Sequence, residues 1–243
     1  MAEQALDHTQ QVQLLFDAKA GSWAAKYAPD GRLAGRLTRL ADAIGYHVPA
    51  GGWVLDLGCG TGELARHLAG AGLRVAGCDI SANMLGRASA AGPAAAAGWI
   101  QLDPDWRTLP FVTASFDAVL AASVLEYVGS PAAVLHECAR VLRPGGVLLC
   151  TVPDPRHPVR WLEWLAGAAA QMSPVRTVAE DWPRLDRYLA YLRISRQRRS
   201  AAWWRAAAAG AGLLAVPRPA KAMESSPLRL FTFQRPDGPG GAS

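Results

Sequence analysis

Residues 54–65 have the sequence VLDLGCGTGELA, and this stretch decides the fold. Its apolar beginning lies between glycines, which predicts a short buried strand at 53–57. Three alternating glycines follow, and then a segment with the pattern of a helix. Glycine lets a ligand lie against bare main chain, because it has no side chain to hold the ligand away. The stretch therefore predicts a strand, a ligand-binding loop and a helix at the carboxyl edge of an open α/β sheet.

Strands and helices alternate on both sides of this unit. Two helices are expected before it, at 6–20 and 31–45. Further strands are predicted at 73–78, 98–102, 116–122 and 146–152, and helices at 63–71, 82–91 and 132–142. After Pro153 the segment 155–200 is helix-like without a clear strand; a helix at 201–210 and strands at 212–216 and 228–234 follow. This alternation predicts a mostly parallel sheet that is covered by helices on both faces.

The composition indicates a folded protein. Hydrophobic residues make up 51% of the 243 residues and charged residues 19%, which excludes wholesale disorder. No apolar run reaches the roughly 18 residues that span a bilayer, and the first residues lack the pattern of a secretory signal. The four cysteines have no paired metal spacing. We therefore expect reduced thiols, no bound metal and a cytoplasmic location.

Charge is unevenly distributed along the chain. Residues 1–152 hold 11 basic and 13 acidic side chains, whereas residues 153–243 hold 14 and 7. The basic excess could face an acidic carrier domain, a phosphate or carboxylate, an anionic membrane, or solvent alone. Its clearest cluster consists of four arginines: Arg193, Arg196, Arg198 and Arg199. No nucleic-acid partner is expected, because the chain has no recognisable RNA-binding module.

The glycine loop has a competing interpretation as a dinucleotide site. Gly60, Gly62 and Ala65 satisfy the loose pattern G-x-G-x-x-A, which would make the chain a nicotinamide oxidoreductase. Asp56 and Gly58 extend the pattern instead to D-x-G-x-G-x-G. A carboxylate at that position can accept a hydrogen bond from a ligand ammonium group, which is the opposite of what a phosphate needs. A tight turn without a ligand is the remaining alternative.

These residues resemble the class I S-adenosylmethionine-dependent methyltransferases, in particular the small-molecule, methyltransferase type 11 branch that includes ubiquinone-biosynthesis enzymes. The resemblance covers about residues 12–152. Three further motifs support it: VAGCDIS at 75–81, LPF with SFDAVLAASVLEYV at 109–128, and RVLRPGGVLLCTVP at 140–153. It implies a Rossmann-like, doubly wound α/β fold with a mostly parallel seven-stranded sheet. It also implies S-adenosylmethionine as cofactor and S-adenosylhomocysteine as product.

The resemblance divides the chain into four parts. Residues 1–50 would form an N-terminal helical cap, and residues 51–154 with 201–235 the cofactor-binding domain. Residues 155–200 would form a helical substrate lid after the fifth strand, and residues 236–243 a disordered tail. The reaction would be in-line methyl transfer to O, N or C of a small molecule, with a secondary metabolite favoured. A cofactor-binding protein of this fold that transfers no methyl group, such as a cyclase or scaffold, is the alternative.

Carried over residue by residue, the resemblance places cofactor contacts at the ends of successive strands. Asp79 would bind both ribose hydroxyls, although it could instead cap the helix that begins near Ser81. For the adenine, the spacing to Leu109 favours Asp105 over Asp103. The residue after Asp105, Trp106, would offer its N–H to a ring nitrogen, whereas Asp103 is followed by a proline without an N–H group. The full set of expected cofactor residues is Tyr27, Asp56, Gly58, Cys59, Gly60, Gly62, Asp79, Ile80, Met84, Asp105, Trp106, Ala121 and Ala122. Trp23 could take the place of Tyr27 over the methionine end of the cofactor.

Candidate catalytic and substrate residues follow the fourth and fifth strands. A base is needed only if the acceptor must lose a proton. The candidates are His157, Tyr127 and Glu126, with His8 and His136 behind them; packing or solvation is the alternative for each. In the lid, Trp161, Trp164 and Tyr188 would form an apolar wall for the substrate. The expected partner is a small molecule that could be anionic or carrier-bound, and the chain could form an oligomer.

Overall fold

The structure is a computed structural model that describes residues 7–31, 33–92, 96–160, 163, 165, 189, 191–192, 194–195, 197–216 and 227–237. Seven strands form one sheet in the order β3-β2-β1-β4-β5-β7-β6. The strands are β1 Trp53–Leu57, β2 Arg74–Asp79, β3 Ala96–Gln101, β4 Phe116–Ala122, β5 Leu142–Pro153, β6 Leu214–Ala215 and β7 Leu228–Gln234. The helices are α1 His8–Trp23, α2 Ala34–Gly45, α3 Glu63–Gly70, α4 Ala82–Ala90, α5 Pro131–Val141 and α6 Ala201–Gly210. A 3-10 turn, Ala24–Tyr27, links α1 to α2.

Strand β1 lies near the middle of the sheet and is paired on both sides. It runs parallel to β2 and to β4, and β2 with β3 and β4 with β5 are parallel pairs as well. Strand β7 is reversed, and it pairs antiparallel with both of its neighbours, β5 and β6. This arrangement confirms the predicted Rossmann-like, mostly parallel, seven-stranded sheet. It also brings the carboxyl ends of β1, β2 and β4 to one edge.

Both faces of the sheet are buried. Leu55 and Leu57 face a core cluster that includes Trp204 of α6, whereas Val54 faces the cluster with Leu40 of α2 and Leu68 of α3. The alternation along β1 explains why its apolar residues form an unbroken run, since each face of a parallel sheet needs its own cover. None of the helices in the described part of the chain is long and apolar enough to cross a membrane.

Four strands differ from their predicted bounds. Strand β2 is shifted by one residue, β3 begins two residues earlier, and β6 is confined to Leu214–Ala215. The fifth strand was predicted to begin at residue 146, but β5 already begins at Leu142. Pairing with β4 is irregular there: Phe116 pairs with Leu142 and Ala118 with Val147, so β5 contains a bulge. In β3 the register also shifts opposite β2 between Val75 and Gly77. Both irregularities depend on the partner strand, which the local sequence does not contain.

The predicted lid lies mostly outside the described residues. The described residues of this segment include helical ones at 158–160 and 191–192. Trp161, Trp164, Tyr188, Arg193 and Arg196 are outside the described residues. The lid and the domain limits therefore stay predictions.

Candidate active site

The glycine loop follows β1 and is hydrogen-bonded to the end of β2. The N–H groups of Gly58 and Cys59 donate to the carbonyl oxygen of Cys78 at 2.7 and 3.0 Å. Gly60 has φ 56°, and a Cβ there would lie 3.2 Å from Trp23 Nε1. The loop can adopt this conformation because its residues tolerate a positive φ. Its Gly58, Cys59 and Gly60 line a large cavity.

Gly62 packs against β3, whereas Gly58 and Gly60 line the cavity. It has φ 80° and precedes the first residue of α3. A Cβ there would lie 2.3 Å from Cη2 of Trp99, on β3. Gly62 does not line the cavity. We therefore assign it to packing between the loop and β3, and the structure does not bring it to the predicted cofactor site.

Asp79, at the end of β2, is fixed by the loop on one side and by α4 on the other. Its Oδ2 accepts a hydrogen bond from the N–H of Gly60 and its Oδ1 one from the N–H of Ser81, each at 2.9 Å. Burial raises the pKa of Asp79, and these two N–H groups oppose that shift. Ser81, not Asp79, caps α4, because its Oγ accepts from the N–H of Met84. Each carboxylate oxygen can accept a second hydrogen bond, so Asp79 can still receive two hydroxyl donors.

Asp56 is a buried carboxylate whose charge is poorly compensated. It is 2% exposed, and its Oδ2 accepts no hydrogen bond from the described part of the chain. Burial raises its pKa to about 7, with further contributions from Asp79 and Glu63 that outweigh the opposing charge of Arg36. A buried unpartnered carboxylate is unfavourable unless a ligand supplies a donor. A bound ammonium group would do so, as the sequence predicts.

The predicted adenine residues reach the cavity. Ile80, Met84, Asp105 and Trp106 line it, whereas Asp103 does not. The N–H of Trp106 donates to the carbonyl oxygen of Asp103 at 3.1 Å. That N–H group is thus engaged in a turn and is not offered to a ligand in this conformation, contrary to the expectation for the adenine ring.

At the end of β4 only one of the two predicted alanines faces the cavity. Ala122 lines it, whereas the side chain of Ala121 is fully buried in the core cluster. The next residue, Ser123, has φ 62° although it is not glycine. Its N–H donates to Thr151 Oγ1 at 2.9 Å, which ties the end of β4 to β5.

Arg36 is a functional candidate that the sequence interpretation missed. It lines the cavity, is 7% exposed, and its Nη2 donates at 2.8 Å to both Ser123 Oγ and Thr151 Oγ1. Its Nε has no hydrogen-bond partner within the described residues. One signal was available: Arg36, Leu40 and Ile44 have the spacing of a single helix face, and that face is buried.

Helix α1 and the turn after it cover the loop. Trp23 and Tyr27 both line the cavity. The helix is held from below, because Ser81 Oγ donates to Asp17 Oδ1 at 2.5 Å and Gln13 Nε2 donates to the carbonyl oxygen of Ile80 at 3.0 Å. This places the predicted aromatic cover over the glycine loop.

Glu126 lies at the other end of the cavity. It lines the cavity, is 1% exposed, and its Oε2 has no hydrogen-bond partner in the described ranges. Burial raises its pKa to about 7, and the charges of Arg36 and Arg160 limit the shift. Burial also raises the pKa of Tyr127, helped by the charge of Glu126 and by Tyr191. Two of the three predicted catalytic residues thus face the cavity.

The structure does not bring the histidine candidates to the cavity. His157 precedes a helical turn, and its Nδ1 accepts from the N–H of Val159 at 3.3 Å. His8 holds the carbonyl oxygen of Tyr127 through Nε2 at 2.8 Å. His136 is exposed on α5. None of the three lines the cavity. The prediction of His157 as a proton acceptor is therefore not supported by its position, because its side chain does not line the cavity and its Nδ1 is engaged in a local turn.

The cavity has a volume of about 1020 Å³ and extends from the β2–β3 edge to the start of β7. Asp79 and Met84 line one end, and Glu126, Arg160 and Leu228 line the other. Ligand sites of small molecules usually measure roughly 300–1,000 Å³. A cavity at the upper end of this range can hold a cofactor and a second molecule side by side.

The sheet order, the glycine loop after β1 and the carboxylate at the end of β2 define a Rossmann-like methyltransferase domain. The family described as "Methyltransferase domain" matches residues 55–150. The chain is 30% identical over 181 residues to the ubiquinone biosynthesis O-methyltransferase of Alkalilimnicola ehrlichii, which is 71% of this chain and 70% of that protein. It is 37% identical over 115 residues to the malonyl-(acyl-carrier protein) O-methyltransferase of Enterobacter lignolyticus, which is 46% of this chain and 44% of that one.

Among solved structures, magnesium protoporphyrin IX methyltransferase of Synechocystis with bound S-adenosylmethionine has the same fold. Its TM-score is 0.65 at 17% identity, and the match covers 96% of this chain and 100% of that chain. The chain belongs to the class I S-adenosylmethionine-dependent methyltransferases, in the small-molecule branch. It is a methyltransferase with S-adenosylmethionine as its cofactor, as the sequence resemblance implies.

Proposed function

We propose that the residues at the β1–β2 edge hold S-adenosylmethionine along the cavity. Asp79 would accept the two ribose hydroxyls, and Ile80 and Met84 would flank the adenine. The Oδ2 of Asp56, which has no partner among the described residues, suits the ammonium of the methionine part. The Nε of Arg36, likewise without a partner among those residues, suits the carboxylate beside it. These groups fit a molecule with an ammonium and a carboxylate at one end, ribose hydroxyls in the middle and adenine at the other end.

Glu126 is proposed as the proton acceptor for an acceptor hydroxyl. The observation that carries this assignment is its buried Oε2, without a partner among described residues, in a side chain that lines the same cavity as Asp79 and Asp56. A base works best when its pKa is close to the operating pH, and burial brings that of Glu126 to about 7. S-adenosylmethionine would supply a methyl group that is activated by its sulfonium sulfur. The protein would orient the acceptor hydroxyl toward this methyl group, and Glu126 would take the hydroxyl proton as the C–O bond forms and the methyl–sulfur bond breaks, which leaves S-adenosylhomocysteine.

The acceptor, in this proposal, is a secondary metabolite with a flat apolar body. The support is the aromatic lining of the second half of the cavity, where Phe16, Tyr127 and Tyr191 follow one another. Their ring centroids are 5.2 and 6.1 Å apart in edge-to-face pairs. The proposal also includes a cytoplasmic location, action on a carrier-bound form of the acceptor, and assembly into oligomers.

The test replaces Glu126 by Gln and measures methyl transfer against pH with a panel of hydroxyl-bearing aromatic acceptors. We expect wild-type kcat to rise with pH through about 7, because the ionised carboxylate is the active form. The variant should lose this rise and about a hundredfold or more in kcat. His157→Ala is the matched control and should keep both.

Calorimetry with S-adenosylhomocysteine on the same samples separates binding from chemistry. Wild type and Glu126→Gln should bind it equally, and neither should bind NAD. An unchanged pH profile in Glu126→Gln would contradict the assignment. Cofactor binding without any product from the whole panel would favour the cyclase or scaffold alternative.

A further inference from the structure

Arg160 is a buried cation at the acceptor end of the cavity. It follows β5, lines the cavity and is 7% exposed. Its Nη1 donates to Glu163 Oε2 at 2.5 Å, and its Nη2 donates to the carbonyl oxygen of Pro227 at 3.3 Å. Its Nε has no hydrogen-bond partner in the described residues. The guanidinium is therefore held in place while one of its donors is unused.

The charges around Arg160 do not cancel. Glu163, 6% exposed, is shared by two arginines, because Nη2 of Arg198 lies 3.5 Å from its Oε2. Among the described residues these three side chains leave one net positive charge. Burial alone would lower the pKa of Arg160, but the charge and hydrogen bond of Glu163, together with Tyr191, raise it. Arg160 is thus a cation at every pH of interest.

A second cation lies near the same end of the cavity. Lys19 also lines it, with its Nζ 5.1 Å from the centroid of the Tyr191 ring and 5.7 Å from that of Phe16. The row of aromatic rings that includes Phe16, Tyr127 and Tyr191 therefore has positive charge beside it. A flat molecule against these rings would bring its end group to Arg160.

We propose that the methyl acceptor carries a carboxylate, and that Arg160 binds this group while the body of the acceptor packs against Phe16, Tyr127 and Tyr191. The inference rests on the proposed function and adds the chemical class of the acceptor. When Lys19 and an ionised Glu126 are counted with the three ion-paired side chains at Arg160, one net positive charge remains, which matches a monoanion. A planar guanidinium matches a planar carboxylate, which it can bind through paired N–H groups. Glu126, whose ionisation the charge of Arg160 favours, lines the same cavity.

The experiment measures binding of two probes to protein saturated with S-adenosylhomocysteine. The probes are 4-hydroxyphenylacetate and its methyl ester, which differ in charge and little in shape. Wild type should bind the carboxylate about ten- to a hundredfold more tightly than the ester, the range expected for one hydrogen-bonded charge pair. Arg160→Gln should abolish this preference, and Arg160→Lys should restore part of it. Arg156→Gln, which removes an exposed arginine of the same segment, should keep it.

Because Arg160→Gln leaves Glu163 without its closest partner, the double variant Arg160→Gln/Glu163→Gln is measured as well and should show the same loss. The proposal is overturned if wild type binds the ester as tightly as the acid or binds neither. It is also overturned if the preference for the acid survives in both Arg160→Gln and Arg160→Gln/Glu163→Gln. Phenyl phosphate binding more tightly than the carboxylate would also overturn it. S-adenosylhomocysteine affinity is recorded for every sample, so a failure here with normal cofactor binding leaves the proposed function intact.

Discussion

Replacing Glu126 by Gln should make the protein progressively more stable, relative to wild type, as pH rises. Burial raises the pKa of Glu126 in the folded state from the ordinary 4.5 to about 7, because it disfavours the charged form. Between these two values the folded state holds more protons than the unfolded state, so the wild-type free energy of unfolding falls as pH rises. The fall ends above the folded-state pKa. Gln carries no titrating group, so the variant lacks this fall.

The magnitude follows from the pKa difference. One pKa unit corresponds to about 1.36 kcal/mol. Between pH 5 and pH 8 the difference in unfolding free energy between variant and wild type should change by about 2 to 3 kcal/mol. The amide of Gln has its own burial cost, but that cost does not depend on pH and leaves the change intact. Asp56, which also has a raised pKa, is present in both proteins and cancels.

The assay is urea unfolding of both proteins at pH 5, 6, 7 and 8 without cofactor. Glu137→Gln serves as a control of opposite sign, because its hydrogen bond with Arg140 lowers the pKa of Glu137. The contribution of Glu137 is fully present above its unfolded-state pKa, so that variant should be less stable by a nearly constant amount over this range. A difference for Glu126→Gln that stays flat within about 0.5 kcal/mol would refute the burial of an ionisable Glu126 in the apo protein.

Two further predictions concern the glycine loop and the carboxylate beside it. Asp79→Asn should weaken S-adenosylhomocysteine binding by about 1–3 kcal/mol in calorimetry, since one accepting oxygen is lost; Asp42→Asn, on the exposed side of α2, should not, and equal affinities would remove the ribose assignment. Gly62→Ala should lower the unfolding temperature, because its Cβ would lie 2.3 Å from the Trp99 ring at φ 80°; a variant as stable as wild type would contradict the packing assigned to Gly62.

The sequence was sufficient where one short segment contains all the determinants. The strands at 53–57 and 116–122 were predicted with the bounds that the structure has, because apolar runs between polar or glycine residues define buried parallel strands. Asp79, Ile80 and Met84 were assigned to the cofactor from the family resemblance, and they line the cavity at and after the end of β2.

The sequence was insufficient to predict the position of a residue whose partners lie far along the chain. Arg36 owes its position to Ser123 and Thr151, which are 87 and 115 positions away. His157 was predicted to be a proton acceptor because it follows a strand, but its Nδ1 accepts a hydrogen bond from the backbone N–H of Val159. The bulge in β5 likewise results from its pairing with β4. No local pattern specifies such contacts.

Helix α1 covers the glycine loop, and its buried side chains include Val12 and Ala20. Its ties to α4 and the residue before it include the donation from Ser81 Oγ and from the N–H of Asn83 to Asp17, and that from Gln13 to Ile80. At about 1 kcal/mol for each hydrogen bond, these three ties together contribute about 3 kcal/mol to the docking of α1, in addition to its apolar packing. None of the three involves a residue within a strand, so α1 could move away from the glycine loop without breaking the pairing of the sheet.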